Sequence, residues 1–324
     1  TQLPNPDLKW ETTLQTGFGL DVAMFSSRIA LTADLYYNRT KDLLLARPLP
    51  PSTGFTSIYD NIGELENKGF ELALNTENLV KAFKWNTSIV FAINRNKVTK
   101  LYEGQPIADQ GRGGNWVIEG EPIGIFYNYR CLGVDPTTGD LVYDDINHDG
   151  VINSEDWTKI GDPNPDFTYG ITNTFSYKNF DLSLFLQGVS GNDIFNGSFL
   201  YLESASGDDN QTKEMIDRWK NPGDITNQPR VGDMYKSSRF IENGSYMRIK
   251  NVTLGYNFPK ELIGKIKMKS ARIYLTGENL YTFTTYKGMD PEVNYYGNDN
   301  IILGTDFFTY PQSRIVMVGL NIGF

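Results

Sequence analysis

The 324-residue sequence predicts an all-β fold, an antiparallel β-barrel wall that crosses a membrane. Three observations carry that prediction. Apolar and polar residues alternate with period 2 over segments of about 9–11 residues, the length a tilted strand needs to cross a bilayer's hydrocarbon core. Short links alternate with long ones, as in barrels with tight periplasmic turns and extended outer loops. No window approaches about 18 consecutive apolar residues, so a closed sheet is the only spanning structure open to the chain.

The strands follow in order. Leu14, Thr16, Phe18, Leu20, Val22 and Met24 alternate with Thr13, Gln15, Gly17, Gly19, Asp21 and Ala23. A turn at Ser26-Ser27 leads to Ile29, Leu31, Ala33, Leu35 and Tyr37, set against Thr32, Asp34, Tyr36 and Asn38. Together they read as a hairpin with one apolar and one wet face. Phe70, Leu72 and Leu74 begin the next pair, which continues through Phe83, Trp85, Ile89, Phe91 and Ile93. Tyr169, Ile171, Phe175 and Tyr177 pass through Lys178-Asn179 into Phe180, Leu182, Leu184 and Leu186. Tyr246 to Asn257 and Ser270 to Tyr281 form a further pair, joined through a helical turn at Pro259 to Lys265. Arg314 to Phe324 closes the series, with Val316, Val318, Leu320, Ile322 and Phe324 on one stripe. The last strand of a soluble sandwich would also alternate, but the pattern recurs along the whole chain.

Short links fall near 26, 78, 178 and 262, and long ones at 39–67, 95–167, 189–245 and 282–312. If Phe324 ends at the periplasm, all four long connections lie outside the cell. Ile123 to Val134 is strand-like and is expected in an outer excursion, and Lys213 to Trp219 is expected as a surface helix. About nine wall strands make an arc whose edges need covering, so further strands are expected from elsewhere. Thr1 is no initiator Met and no signal peptide is visible, which leads to the same expectation of a longer protein.

Composition narrows the function. The net charge of −9 offers no basic excess to release phosphate counterions, so nucleic acid is not an expected partner. Aromatic residues make up 13% of the chain, which suits interfacial girdles or a binding surface. A mean hydropathy of −0.39 is compatible with a barrel, whose lumen and outer loops are polar. Cys131 is the single cysteine, so no intrachain disulfide can form.

One stretch has metal-ligand spacing. Asp145-Ile146-Asn147-His148-Asp149-Gly150-Val151-Ile152-Asn153-Ser154-Glu155-Asp156 follows a twelve-residue calcium loop. Ca2+ is a hard cation that takes about six to eight oxygens, here the side chains of Asp145, Asn147 and Asp149 and the carbonyl of Val151. Gly150 supplies the sharp turn, Asn153 acts through a water, and Asp156 stands where an EF-hand usually has Glu. No amphipathic helix leads into Asp145, and an Asx-rich turn without metal is the alternative. The expected role is structural, folding an outer loop at 135–167. His148, the only histidine, is expected to be solvated.

Catalysis finds little support. A Ser/His/Asp triad would need His148, which the loop occupies. Carboxylate pairs such as Asp208-Asp209 or Asp290 with Glu292 could in principle cleave glycosides, but acidic loop residues are common here. Gly17-x-Gly19 lies in a strand pattern and opens no helix, so it cradles no phosphate. The Asn196-Gly197-Ser198 sequon has meaning only in a host that glycosylates, and a barrel of this kind suggests a bacterial one. The chain is therefore not expected to be an enzyme. Trp116, Phe126, Tyr127, Tyr129, Phe199, Tyr201, Tyr295, Tyr296, Phe307, Phe308 and Tyr310 sit at loop or strand-end positions. They serve either as a girdle or as a surface for sugars and proteins.

Several spaced motifs then point to a family. They are Asn5-Pro6-Asp7-Leu8-Lys9-Trp10-Glu11, Asp34-Leu35-Tyr36-Tyr37-Asn38 with Thr40 and Asp42-Leu43-Leu44, Asn61-Ile62-Gly63, Asn67-Lys68-Gly69-Phe70-Glu71, Gly161-x-Pro163-x-Pro165, Ser245-Tyr246-x-Arg248, Asn279-Leu280, Asp290-Pro291-Glu292 and Tyr310-Pro311. In this order the chain, 1–324, resembles the C-terminal barrel portion of SusC-like TonB-dependent outer-membrane transporters of Bacteroidota. The resemblance implies a bacterial outer-membrane protein with a 22-strand barrel and an N-terminal plug, the plug and early strands lying outside this chain. It implies a SusD-like surface lipoprotein partner, contact with membrane lipid, energy from TonB through the N-terminal part, and import of a glycan or peptide. Two alternatives stay open: a passive porin, or a non-transporting, calcium-dependent surface binding or assembly scaffold.

Overall fold

The computed structural model describes residues 2–108, 111–204, 209–266 and 268–324. Nine strands pair in chain order in one antiparallel path: β1 (Thr12–Met24), β2 (Ile29–Pro48), β3 (Ser57–Val80), β4 (Phe83–Lys100), β5 (Phe167–Tyr177), β6 (Phe180–Ser190), β7 (Tyr246–Asn257), β8 (Ser270–Thr284) and β9 (Ile315–Gly323). Within the described residues the path does not close, since β1 and β9 each have one neighbour in it. A short segment, Gln2–Leu3, runs parallel to Ser57–Ile58 above the wall.

The register explains the alternation. Val22, Leu31, Leu74, Ile89, Ile171, Leu186, Ile249 and Tyr281 are successive partners from β1 to β8. One residue away, Asp21, Thr32, Ala73, Val90, Gly170, Gln187, Arg248 and Thr282 form the parallel row. The first row faces lipid and the second the lumen, because a period of 2 sends neighbours to opposite faces. On the wet side Thr32 donates to the Asp21 carboxylate at 2.7 Å. Toward the periplasmic end Phe83, Tyr177, Phe180 and Tyr256 are successive register partners. Phe83 and Trp85 also stack on Phe175, with ring centroids 6.1 and 5.9 Å apart. These rings form the interfacial girdle.

The periplasmic links are tight, as the sequence predicts. Phe25, Ser26 and Ser27 all take left-handed backbone angles at the first, and Lys178 does so at the third. The fourth contains the expected helical turn, Lys260–Ile263. Close cross-strand packing also needs glycine in the wall. Gly319 sits opposite Tyr274, and a Cβ there would lie 2.1 Å from the ring.

The connection at 39–67 departs from expectation. β2 and β3 run on as a paired ribbon past the bilayer, and only residues 49–56 turn. Extended polar pairing there has no apolar period to mark it, so the alternation reads as loop. Asn61 ties this ribbon to the N-terminal segment, donating to the Lys9 and Asp42 carbonyls at 2.9 and 2.7 Å and accepting from Lys9 N–H at 2.7 Å. Asn279 has a similar explanation. With Leu280 it opposes the single residue Lys250, a bulge in which Asn279 takes φ 51° and donates to the Ser313 carbonyl.

Most of the apolar core lies outside the wall, and Val98 at the outer end of β4 joins it by packing with Leu101 and Val117. Val117, Ile125, Phe126, Ile194, Phe195, Met215 and Phe240 are buried, and all belong to the outer connections. Wall side chains such as Phe18, Val90, Val316 and Val318 are exposed on the sheet. No helix among the described residues is long and apolar enough to cross a membrane.

A lipid-facing charge tests the orientation. Leu186→Arg should destabilise the protein by about 2–4 kcal/mol in urea unfolding from phospholipid vesicles, whereas Thr172→Arg on the lumen face should cost less than about 1 kcal/mol.

Candidate functional site: the outer-loop assembly

The long connections do not hang free. Four segments between β4 and β5 form a sheet, Ile107–Ala108, Asn115–Val117, Ile125–Asn128 and Thr158–Gly161. A second sheet joins two other connections, with Asp193–Asn196 between Ile241–Asn243 and Thr305–Asp306. Phe126, Phe195 and Phe240 pack together where these sheets meet. Ile123 to Val134, expected in an outer excursion, supplies a strand to this assembly and another, Cys131–Val134, to a hairpin with Leu141–Tyr143. The helix expected at Lys213 to Trp219 is a 3-10 turn, Lys213–Asp217, whose Met215 is buried, so it is packed and not a decoration. The longer loop helix, Gly197–Ser204, carries no clear amphipathic period and was not legible.

Polar groups stitch the loops together. Asn115, fully buried, donates to the carbonyls of Gly124 and Leu303 at 2.8 and 2.9 Å. At the rim of the wall Asn164 bonds Asn96 and the Ile123 carbonyl, which accounts for the Gly161-x-Pro163-x-Pro165 segment. Tyr286 donates to Asp306 at 2.6 Å, and burial together with that carboxylate pushes its phenol pKa up. Asp193 lies where burial raises its pKa, and it accepts from Asp162 N–H.

The strongest anchor joins two of the quoted motifs. Arg248, 1% exposed on the lumen face of β7, donates to Thr282 at 2.8 Å and Glu292 at 2.8 Å and pairs with Asp290. Lys250 reaches Glu292 at 3.1 Å, and Asp290 also accepts from Gln312 N–H at 3.0 Å. The connection between β8 and β9 is thereby pinned into the wall. Asp290 and Glu292 are both engaged in this ion-pair network. Of the other pair, Asp209 is exposed and Asp208 lies outside the described residues.

The loop from Asp145 to Asp156 folds as a tight turn. Asp145 accepts from Asp149 and Gly150 N–H at 3.2 and 2.9 Å, Asn147 from Asp149 N–H at 3.0 Å, and Asp149 from Val151 N–H at 2.7 Å. Gly150 takes φ 81°, the left-handed turn its position requires. Asp156 is fully buried and accepts from Ile146 and Asn153 N–H, both at 2.9 Å. These backbone donors, Asn153 foremost, hold its pKa below the usual carboxylate value. Among the described residues no three His, Cys, Asp or Glu side chains converge to form a metal centre. The donor set is nonetheless all oxygen, which fits a hard cation. His148 is exposed at φ 59°. Cys131 is half-buried, and burial raises its thiol pKa.

Of the aromatic residues singled out in the sequence, Phe126 and Phe199 belong to the buried cluster, Tyr310 is exposed, and the others fall in two groups of ring contacts. Trp116, Tyr127, Tyr129, Trp157, Tyr143 and Tyr235 form a continuous chain of ring contacts beside the Asp156 turn. Burial raises the Tyr143 phenol pKa to about 12. Tyr201, Tyr295, Tyr296, Phe307 and Phe308 form a second cluster around Arg112.

A wall with a lipid-facing apolar band, an aromatic girdle and a packed outer-loop assembly defines an outer-membrane β-barrel protein. The chain belongs to the TonB-dependent receptor β-barrel family, whose model, "TonB dependent receptor-like, beta-barrel", matches residues 1–280. It is 39% identical over 353 residues to TonB-dependent receptor P3 of Formosa agariphila, covering 100% of this chain and 35% of that protein. It is 32% identical to TonB-dependent receptor SusC of Bacteroides thetaiotaomicron, covering 99% of this chain and 32% of that protein. The solved RagAB peptide transporter superposes with a TM-score of 0.89 at 28% identity, over 99% of this chain and 36% of that one. The chain thus spans about a third of the length of the curated relatives it matches. It is SusC-like and resides in the bacterial outer membrane, as the resemblance implied.

Removing the anchor tests its role. Arg248→Ala leaves Asp290 buried without its partner and should cost about 3–5 kcal/mol locally, read as faster hydrogen exchange in residues 285–314 while β5 and β6 keep their protection.

Proposed function

We propose that the protein imports a bulky nutrient, a glycan or a peptide, across the outer membrane, driven by TonB and with a SusD-like surface lipoprotein over its outer loops. The observation that carries this reading is the loop assembly. Three long connections share buried residues and sheets, and Arg248 pins the last of them into the wall. Such a built outer face suits capture of a large ligand better than an open diffusion pore. The near superposition with a protein solved as a peptide transporter supports it further. The relatives are named as receptors, and Asp290 and Glu292 are paired with Arg248.

The test is a deletion of the gene, followed by growth on single glycans and on peptides. Loss of growth on one nutrient class, reproduced by removing TonB, supports import. Steady ion conductance of the purified protein in planar bilayers would favour passive flow, and lipoprotein association without any growth defect would favour a scaffold.

We further propose that the turn from Asp145 to Asp156 binds Ca2+ through Asp145, Asn147, Asp149, the Val151 carbonyl and Asp156, and so stabilises the outer loop. The twelve-residue spacing, the Gly150 turn and the all-oxygen donor set support it. When bound, the ion would neutralise the loop's clustered carboxylates. In the wild-type protein about 1 mM Ca2+ should slow limited proteolysis at 135–167 relative to chelator. The double variant Asp145→Ala, Asp149→Ala should be cut equally fast in both, and an ion-independent wild type would sink the proposal.

A further inference from the structure

The second aromatic cluster contains a cation whose geometry the import reading leaves unexplained. Arg112 is exposed, and its guanidinium carbon lies over the Phe307 ring, 3.9 Å from the centroid. Its Nη1 donates to the Tyr201 hydroxyl at 3.1 Å, and its backbone N–H donates to the Tyr296 hydroxyl at 2.8 Å. Both phenol oxygens therefore act as acceptors toward Arg112, which leaves their own hydrogens to donate outward. Among the described residues neither phenol hydrogen has an acceptor, and Arg112 makes no ion pair although the chain as a whole carries a net charge of −9. Among the described residues, the free edge of a planar guanidinium and two phenol O–H groups make a site of donors alone. It is complementary to an oxyanion, and the fork geometry suits a carboxylate.

We propose that Arg112, with Tyr201 and Tyr296, forms a carboxylate subsite for a sugar acid within the imported glycan. This rests on the import reading and narrows its substrate class to acidic oligosaccharides. Two features favour a saccharide over a peptide. An extended peptide gains affinity by pairing its main chain with a free strand edge. Here the neighbouring backbone donors are taken, Arg112 N–H by Tyr296 and Tyr295 N–H by the Thr305 carbonyl. What remains outward is side-chain donors and rings. Tyr201 and Phe308 are 40% and 52% exposed beside the guanidinium and offer apolar faces to a pyranose. Stacking on Phe307 holds the guanidinium in place before the ligand arrives, so less side-chain freedom is lost on binding.

The experiment measures equilibrium binding to the full-length protein in detergent, without energised transport, by calorimetry. The probes are a galacturonic acid hexamer, its carboxyl-reduced neutral counterpart, and an Asp/Glu-rich hexapeptide. Wild type should bind the acidic hexamer more tightly than the neutral one. Arg112→Gln should weaken the acidic hexamer about 10- to 100-fold and leave the neutral one within about twofold. Arg112→Lys, which keeps the charge but not the planar fork, should fall between, and Tyr201→Phe should lose about two- to fivefold. Hydrogen-exchange protection of the loop sheets, unchanged in each variant, confirms that the exposed substitutions leave the fold intact. Equal affinity for the two hexamers, indifference to Arg112→Gln, or no binding by wild type overturns the proposal. So does Arg112-dependent capture of the acidic peptide with no capture of the sugar acid. Because the readout is binding alone, a protein that captures the acidic hexamer through Arg112 yet fails to import it would refute the import reading and not this one.

Discussion

Inside hydrocarbon no water is present to satisfy a backbone N–H or C=O, and every other feature of this chain follows from that. The wall strands answer it by pairing edge to edge in one path, β2 to β8 each with both neighbours. Pairing in turn imposes the period of 2, which sends Leu74 and Ile89 toward lipid and Ala73 and Val90 toward the lumen. A single sheet has nothing behind it to pack on, so the lipid-facing side chains of the wall do not form a core. Lipid takes the place that a second layer would hold in a soluble protein.

That displacement explains why the buried apolar residues are found in the loops. Water surrounds the outer connections, and there the hydrophobic effect operates as in any globular domain. Phe126, Phe195 and Phe240 meet at the junction of two small sheets and join two connections, and Thr305–Asp306 adds the third by pairing with Phe195–Asn196. Buried polar groups then fix how that body sits on the wall. Arg248 is the clearest case. A guanidinium nearly free of solvent is tolerable only with its donors matched, and Thr282, Asp290 and Glu292 match them. The loop between β8 and β9 therefore cannot swing out without exposing that pairing.

A firm loop body over a barrel wall is what a receptor needs to present a surface of defined shape. Two of its features remain available to ligands: the carboxylate-rich turn at Asp145 to Asp156, and the donor array at Arg112. They are opposite in sign, the turn suited to a hard cation and Arg112 to an oxyanion. Their chemistry comes from local charge, whereas their placement comes from the shared core beneath them.

By itself the sequence determined the features that are local. Alternation along each wall strand, the tight links at Ser26-Ser27 and Lys178-Asn179, and the twelve-residue spacing from Asp145 to Asp156 all lie within a few residues of themselves. Strand face, turn and spacing are properties of short windows, so they could be read directly. The extent of β2 and β3 beyond the bilayer could not, because polar pairing in water leaves no apolar period. The tertiary structure alone decided which distant groups meet. Arg248 and Asp290 are 42 residues apart, Asn115 and Leu303 are 188 apart, and Arg112 and Tyr296 are 184 apart. Each of these contacts depends on how a loop packs on the wall or on another loop, and packing is set by volumes and partners that no single window of the chain contains.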